Sequence, residues 1–521
     1  MLFNAKMRPV WASLVVALLT VTCYIGSGTS SDPFFSASGE SLVFPDTPTA
    51  IVLPTEEEIL PEPEQSPTPT DDLPTPAPPA ENSASPILYY TQAGDTLPVV
   101  AKRFGVQPGE IYSPDPLPEN ALLSPNQLLI IPHSPANTTS TQRLLPDSEV
   151  VFSPSATDFD IQAYVEEAGG YLSTYTEYLK TTGTTSGADI VERVALENSI
   201  NPRLLLSLLE YQSGWVFGQP GNLAQRDYPL GLMGLENRGL YSQLVWAVNN
   251  LSIGYYGWRE GFLTEIEFLD GVTGRLAPDL NAGTVALQYY FAHLYDTQGW
   301  VNALDSKVGF PAQHEQMFGN PWLRAARFEP LYPPELTQPP MILPFLINQL
   351  WSYTGGPHGA WEHDGSQAAL DFAPASLVSG CVKSDAWVVA AAAGLVVRSG
   401  NGIVVLDLDG DGYEQTGWVL LYLHVATDGR VPVGKMVETG EMLGHPSCEG
   451  GKATGTHIHI ARKYNGEWIP ADGPVPFNLN GWVAHAGVKP YQGTLTRGDD
   501  VVTASVYGSF ESRIKRDREG F

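Results

Sequence analysis

Basic residues are scarce in this chain. Its 521 residues carry 28 Lys and Arg against 57 Asp and Glu, a formal net charge of -29. Nothing supplies a basic footprint for a phosphate backbone, so nucleic acid is excluded as a partner. The shortage is greatest between Arg8 and Lys102, which hold no Lys or Arg between them. That interval contains Glu56, Glu57, Glu58, Glu62, Glu64, Asp71, Asp72 and Glu81, and reads as a solvated, self-repelling tether. Cysteine is scarce too, with three in all. Cys23 lies in the N-terminal apolar segment, which leaves Cys381 and Cys448 as a pair suited to an oxidising exterior. Two cysteines do not by themselves establish a disulfide. The apolar run Val10 to Ile25, behind Lys6, Arg8 and Pro9, is short for a membrane span. Residues 1–28 therefore read as a secretory signal or a retained signal anchor. No A-x-A cleavage site follows, and Thr22 is a poor neighbour for a lipid-modified Cys23. Either way the bulk of the protein is expected outside the membrane, exported to the cell surface or beyond.

The length suggests three or four domains. Residues 29–86 are rich in Pro, Ser, Thr and Glu, cannot bury a core, and read as a disordered spacer. Residues 135–157 read as a second linker, and the charged tail 496–521 as disordered. The fold class expected is multidomain α+β.

Between the linkers, residues 87–134 run Tyr90-Thr91-Gln92-Ala93-Gly94-Asp95-Thr96-Leu97, then Ala101 to Val106, and close on Leu128-Leu129-Ile130-Ile131-Pro132. This predicts a strand, a helix capped by Asp95 or Thr96, a turn and a closing strand. The segment resembles a LysM domain. The resemblance implies a small βααβ module that binds N-acetylglucosamine glycans such as peptidoglycan. The proline-rich Ser113-Pro114-Asp115-Pro116 departs from that family's pattern.

Residues 158–335 have helical apolar spacing, as in Ile190 to Glu197 and Pro202 to Tyr211, with Pro202 suited to a first turn. Asn201 to Trp215 and Leu230-Gly231-Leu232-Met233-Gly234 resemble a lysozyme-like transglycosylase domain. In that family a Glu directly before the Ser acts as general acid. Here Gln212 stands in that place, and an amide does not donate and regain a proton. Glu210 is on another helix face. A non-catalytic, glycan-recognising or scaffold role is expected. Tyr241, Trp246, Tyr255, Tyr256 and Trp258 are sugar-stacking candidates or core.

From about residue 340 the pattern turns to short strands and Gly-rich turns, predicting an antiparallel β domain over 340–490. Gly455-Thr456-His457-Ile458-His459-Ile460 alternates as a strand does, which aims two imidazoles at one face. Alone, an H-x-H is a weak signal. Upstream lie Thr354-Gly355-Gly356-Pro357-His358-Gly359, Leu370-Asp371-Phe372 and Leu421-Tyr422-Leu423-His424. Catalytic zinc takes three protein ligands and leaves one position open, and two His and one Asp from these separate segments can provide such a set. Asp407-Leu408-Asp409-Gly410-Asp411-Gly412 imitates a calcium loop, but Trp418 stands where that loop needs Glu, so a hairpin turn is expected.

This region resembles the lysostaphin-like, or LytM-type, zinc peptidases, which cut peptides of the bacterial cell wall. It is closest to their staphylolysin or β-lytic branch. Gln367 occupies the commonest first-ligand place, but His358, thirteen positions before Asp371, fits the branch, as does Cys448-Glu449-Gly450-Gly451. The resemblance implies Zn2+ held by His358, Asp371 and His459, with His424 and His457 flanking an open position. It also implies a Cys381–Cys448 bridge. His363 is the alternative first ligand. The expected activity is metal-activated hydrolysis of peptidoglycan cross-links. The rivals are a non-catalytic wall-binding protein or activator, and a bifunctional enzyme whose middle domain is a lytic transglycosylase.

Overall fold

The computed structural model describes residues 85–333, 335–361 and 364–517. The expected signal segment, most of the first spacer and His363 lie outside them. Among the described residues no helix is long and apolar enough to cross a membrane.

The small N-terminal module pairs Ile87–Tyr90 antiparallel with Leu128–Ile131 across the helix Leu97–Phe104. The expected second helix is reduced to a 3-10 turn at Pro108–Glu110, because the prolines that follow lack the N–H groups a helix needs. Thr96 holds the N-cap position without a side-chain bond. Asp95 is not a cap either. It accepts from the Tyr89 hydroxyl at 2.6 Å and pairs with Arg103 at 2.7 Å, both buried.

Residues 135–157 are not a free linker. Leu145, Val150 and Val151 are wholly buried in the core of the helical unit that follows. That unit packs Leu240–Arg259 against Ala282–Ala292 and Gly187–Asn198, and Pro202–Ser213 against Gly187–Asn198 and Phe310–Phe318, with two short hairpins attached. Pro202 sits in the first turn and Asn201 caps it. Tyr255, Tyr256 and Trp258 are core residues, and Tyr241 and Trp246 are partly buried at the edge of the same core. None of the five is a free sugar platform.

A nine-stranded antiparallel sheet dominates the C-terminal unit, in the order Met436–Val437, Gly394–Gly400, Ile403–Asp407, Trp418–Leu423, Ile458–Tyr464, Ala369–Pro374, Leu350–His358 and Arg513–Lys515, with Glu467–Trp468 beside Ile458–Tyr464. Both faces are covered, so these strands read as continuous apolar runs. Val404, Leu406, Leu420, Tyr422, Ile458 and Ile460 face one core, with Phe345 and Phe477. Val405, Val419, Leu421, Leu423 and Ala461 face the other, which is continuous with the core of the helical unit. Burying each leucine is worth roughly 1.5–3 kcal/mol, so the helical unit is an integral cover for that face. The turn Asn465-Gly466 enters it, and a Cβ on Gly466 would lie 2.1 Å from the Phe152 carbonyl oxygen. Glu467 follows and is wholly enclosed by Arg259 at 2.9 Å and the Tyr255 hydroxyl at 3.0 Å.

The tail 496–521 was expected to be disordered, but its described part is ordered. Arg513–Lys515 closes the sheet edge against Leu350–His358 and buries Ile514, while Asp500–Thr503 completes a separate four-stranded sheet. Its apolar residues are too sparse to show a period. The strand that Arg513–Lys515 pairs with lies far back in the chain.

Between the helical unit and the sheet, Glu260 is half-buried beside Ser366 and Asp472 with its Oε1 enclosed, and no cation among the described residues pairs with it. Burial first, then the Asp472 charge, pushes its carboxyl up to about 8. Folding thus prefers the proton. The stability tied to it is complete below the ordinary glutamate range and is lost as pH rises from there to about 8. Glu260→Gln is expected to flatten that slope and raise the melting temperature at pH 8, by an amount on the order of a few kcal/mol of stability. Thermal scans from pH 5 to pH 9 check this, and an unchanged slope refutes it.

Candidate metal centre

The centre forms where three adjacent strands carry polar side chains on the face toward the helical unit. In register, His459 pairs with Asp371 on one side and with Leu423, the residue before His424, on the other. Alternation with Ile458 and Ile460 puts His459 opposite their core. His358 ends its strand, where the register slips between Tyr353 and Gly355 and again between Gly355 and His358. Such bulges re-aim a side chain. Gly355 is required there, because a Cβ would meet Asp371 Oδ2 at 2.6 Å.

Each imidazole has one nitrogen fixed by a backbone carbonyl. His358 Nδ1–H donates to Gly356 O at 2.7 Å, and His459 Nε2–H donates to Ala360 O at 2.9 Å. These bonds set the tautomers and leave His358 Nε2 and His459 Nδ1 as bare acceptors. The two face each other at 3.0 Å, and Asp371 Oδ1 lies 3.3 and 3.2 Å from them. Asp371 Oδ1 is buried and makes no hydrogen bond of acceptable geometry. Three electron-pair donors crowded into one buried space call for a cation. Two nitrogens and one carboxylate oxygen suit zinc, so the residues fit that ion. Burial pushes the Asp371 carboxyl up, but His358, then His459 and His457, hold it well below the usual carboxylate range.

His424 and His457 stand beside the three, with ring centroids 4.4 Å apart. His424 Nδ1–H donates to Glu449 O at 2.8 Å and His457 Nδ1–H to Gly455 O at 2.7 Å, so both present a free Nε2. Burial, then His457 and His459, push His424 down to about 3, leaving it neutral. His424 holds φ +70°, a strained conformation for this residue type, and its carbonyl accepts from Ser447 N at 2.7 Å. The Cys448 to Gly451 run explains itself here. Cys448 is joined to Cys381 with Cα atoms 5.8 Å apart, and the Glu449 carboxylate binds Thr427 Oγ1 at 2.6 Å. Gly450, at φ +92°, lies where a Cβ would strike Asn401 O at 2.5 Å.

Tyr491 belongs to the site and sequence reasoning missed it. Its ring stacks on His358 at 4.1 Å, at φ +67°, and its carbonyl accepts from Gly356 N at 2.9 Å. Burial and the Asp371 charge push its hydroxyl pKa up, so it keeps its proton. The signal available was an aromatic between Pro490 and Gly493, which marks a turn and nothing more.

Other histidines and polar residues lie apart from the centre. Tyr422 faces the opposite core and accepts from Ala391 N at 2.7 Å. His445 is held by Ala386 O and His485 by Thr496. In the helical unit, Gln212 accepts from the Tyr295 hydroxyl at 2.8 Å, and Glu210 accepts two backbone N–H groups, from Val216 and Phe217. Asp407 accepts from the N–H groups of Asp409, Gly410 and Gly412, closing the hairpin turn.

Comparison with known proteins first places the region before the sheet. Residues 143–334 match the family described as LasA, N-terminal domain. That match begins inside the segment expected to be a linker and covers the region whose sequence resembles a lysozyme-like domain. About two thirds of the chain is similar to Protease LasA of two strains of Pseudomonas aeruginosa, at 26% identity over 352 residues in one, covering 64% of this chain and 78% of the relative. Among solved structures it is similar to the M23 metalloprotease pseudoalterin from the deep sea, at 22% identity, TM-score 0.27, 32% of this chain and 95% of that one. It is also similar to the catalytic domain of lysostaphin from Staphylococcus simulans, at 23% identity, TM-score 0.18, 24% of this chain and 90% of that one.

Proposed function

We propose that this chain is an exported zinc endopeptidase that hydrolyses peptide cross-links of peptidoglycan. The observation that carries the reading is the convergence of His358 Nε2, Asp371 Oδ1 and His459 Nδ1 within 3.3 Å of one another, all three buried. The similarity to Protease LasA supports a protease. A zinc ion held by these three atoms supplies Lewis acidity toward a peptide carbonyl and toward water.

The protein's own groups do the rest. The free Nε2 of neutral His424 accepts the proton of the attacking water. His457, 16% exposed and therefore nearer solvent, stands beside His424 and joins it in steadying the oxyanion. The proton then passes to the leaving amine. Asp371, held ionised, keeps both ligand imidazoles in place. The filled set of five residues favours an enzyme over a wall-binding activator. Gln212 in place of a carboxylic acid argues against glycan cleavage in the helical unit.

The small module holds the enzyme on N-acetylglucosamine glycan, raising its effective concentration on a fixed substrate. The N-terminal segment directs export and, if retained, anchors the protein at the membrane. The test is digestion of purified cell wall. New amino groups without new reducing or anhydro sugar ends support this reading. New sugar ends alone overturn it in favour of a glycosidase.

A further inference from the structure

The small module is clamped to the helical unit. Gln92 donates to the carbonyls of Asp279 and Leu280 at 3.2 and 3.1 Å, Arg103 donates to Trp258 O at 2.9 Å, and Arg259 donates to Ala93 O. The Arg103 guanidinium also lies 4.5 Å over the Trp258 ring. A docking this specific holds the two loops of the module, 90–93 and 125–126, in fixed relation to the helical unit. Between them is a cavity of about 320 Å³ whose other wall includes Arg143, Trp322 and Glu329. That volume is at the small end of ligand pockets.

Its chemistry is unlike an anion or metal site. The Arg259 charge at the back is already matched by Asp147 at 2.9 Å and Glu467 at 2.9 Å. Glu329 accepts from Ser148 N at 2.8 Å, and burial, then the Asp147 charge, hold its carboxyl up at about 7, so part of it keeps a proton that donates. Arg143 spends one donor on Asp279 O at 3.1 Å and is otherwise exposed at the cavity wall. Asn126, at φ +66°, is exposed with its amide free of protein bonds among the described residues. Two large aromatics flank the opening with much of their surface in water, Tyr90 at 56% and Trp322 at 39%. Exposed indole and phenol faces beside neutral or planar polar groups suit a ligand with C–H faces and many hydroxyl or amide groups.

We propose that this cavity is a saccharide subsite shared by the two units, in which Trp322 stacks on a pyranose ring and Asn126, Arg143 and Glu329 bind its hydroxyl and amide groups. It rests on the glycan-binding reading of the module and goes beyond it. The helical unit supplies half the site, so the module does not act alone.

The experiment titrates the full chain with the β-1,4-linked tetramer of N-acetylglucosamine by calorimetry. Wild type binds. Trp322→Ala weakens binding at least tenfold and Arg143→Ala severalfold. Asn126→Gly, which keeps the left-handed backbone, weakens it comparably. Trp322 is half out of water, and circular dichroism and melting temperature close to wild type show that the fold persists. If Trp322→Ala and Arg143→Ala bind as wild type while Asn126→Gly loses affinity, the ligand sits on the module alone. The shared subsite is then overturned and the module reading stands. If wild type does not bind the tetramer, the glycan reading of the module falls and the subsite falls with it. Release of amino groups from cell wall reports on the peptidase reading separately.

Discussion

His459→Ala is expected to abolish stoichiometric zinc and peptidase activity together. The substitution removes Nδ1, which faces His358 Nε2 at 3.0 Å and Asp371 Oδ1 at 3.2 Å, and leaves two ligands where a catalytic zinc site takes three. It also frees the Ala360 carbonyl that fixes the His459 tautomer. Losing the metal forfeits several kcal/mol of transition-state stabilisation, or about 10³-fold or more in kcat/KM. Metal analysis of the purified variant and amino-group release from cell wall measure both. Far-ultraviolet circular dichroism separates loss of zinc from loss of the sheet. A variant that holds one zinc per chain and cleaves as wild type would place the metal elsewhere.

The candidate site was legible in the sequence where its geometry is local. A strand alternates with period two, so His457 and His459 advertised themselves. The Gly-Gly-Pro-His and Cys-Glu-Gly-Gly runs carried steric requirements that glycine meets, as Gly355 and Gly450 show. Tyr491 was not legible. It reaches His358 through a turn whose residues make no pattern, and its partner lies far back in the chain. Gln367 marks another limit. Its backbone oxygen accepts from Ala471 N at 2.9 Å, while the insertion it closes carries the Ala360 carbonyl that orients His459.

The fold divides the same way. Local propensity sufficed for Pro202–Ser213, with its Asn cap and first-turn proline, and for the hairpin strands Ile403–Asp407 and Trp418–Leu423. It failed at 135–157 and at the tail, where polar composition suggested no structure. Order there comes from tertiary partners: Leu145 and Val151 enter a core built by distant helices, and Ile514 completes a distant edge. Composition measures how much apolar surface a segment brings. It does not measure how much a neighbour has waiting to be covered.

The proposed division of the five residues into ligands and proton carriers leads to the second large effect. His457→Ala and His424→Asn are expected to keep zinc and lose turnover by about 10²- to 10⁴-fold, the range for a positioned acid or base. Asparagine is chosen at 424 because it tolerates the left-handed backbone at φ +70° that alanine resists. Neither residue is needed to complete the three-atom cluster, and His457 Nε2 lies 3.8 Å from Asp371 Oδ2, on the oxygen that does not join it. The two variants differ in what else they disturb. His424 is buried and neutral, so its loss removes an acceptor without changing charge. His457 is proposed to act on the oxyanion, which forms only on the way through the transition state, so its loss falls more heavily on kcat than on KM. Zinc content near one per chain with activity reduced in both variants is the expected result. Loss of metal in His457→Ala would make that residue a ligand and return the choice between the two histidines of the strand to the opposite assignment.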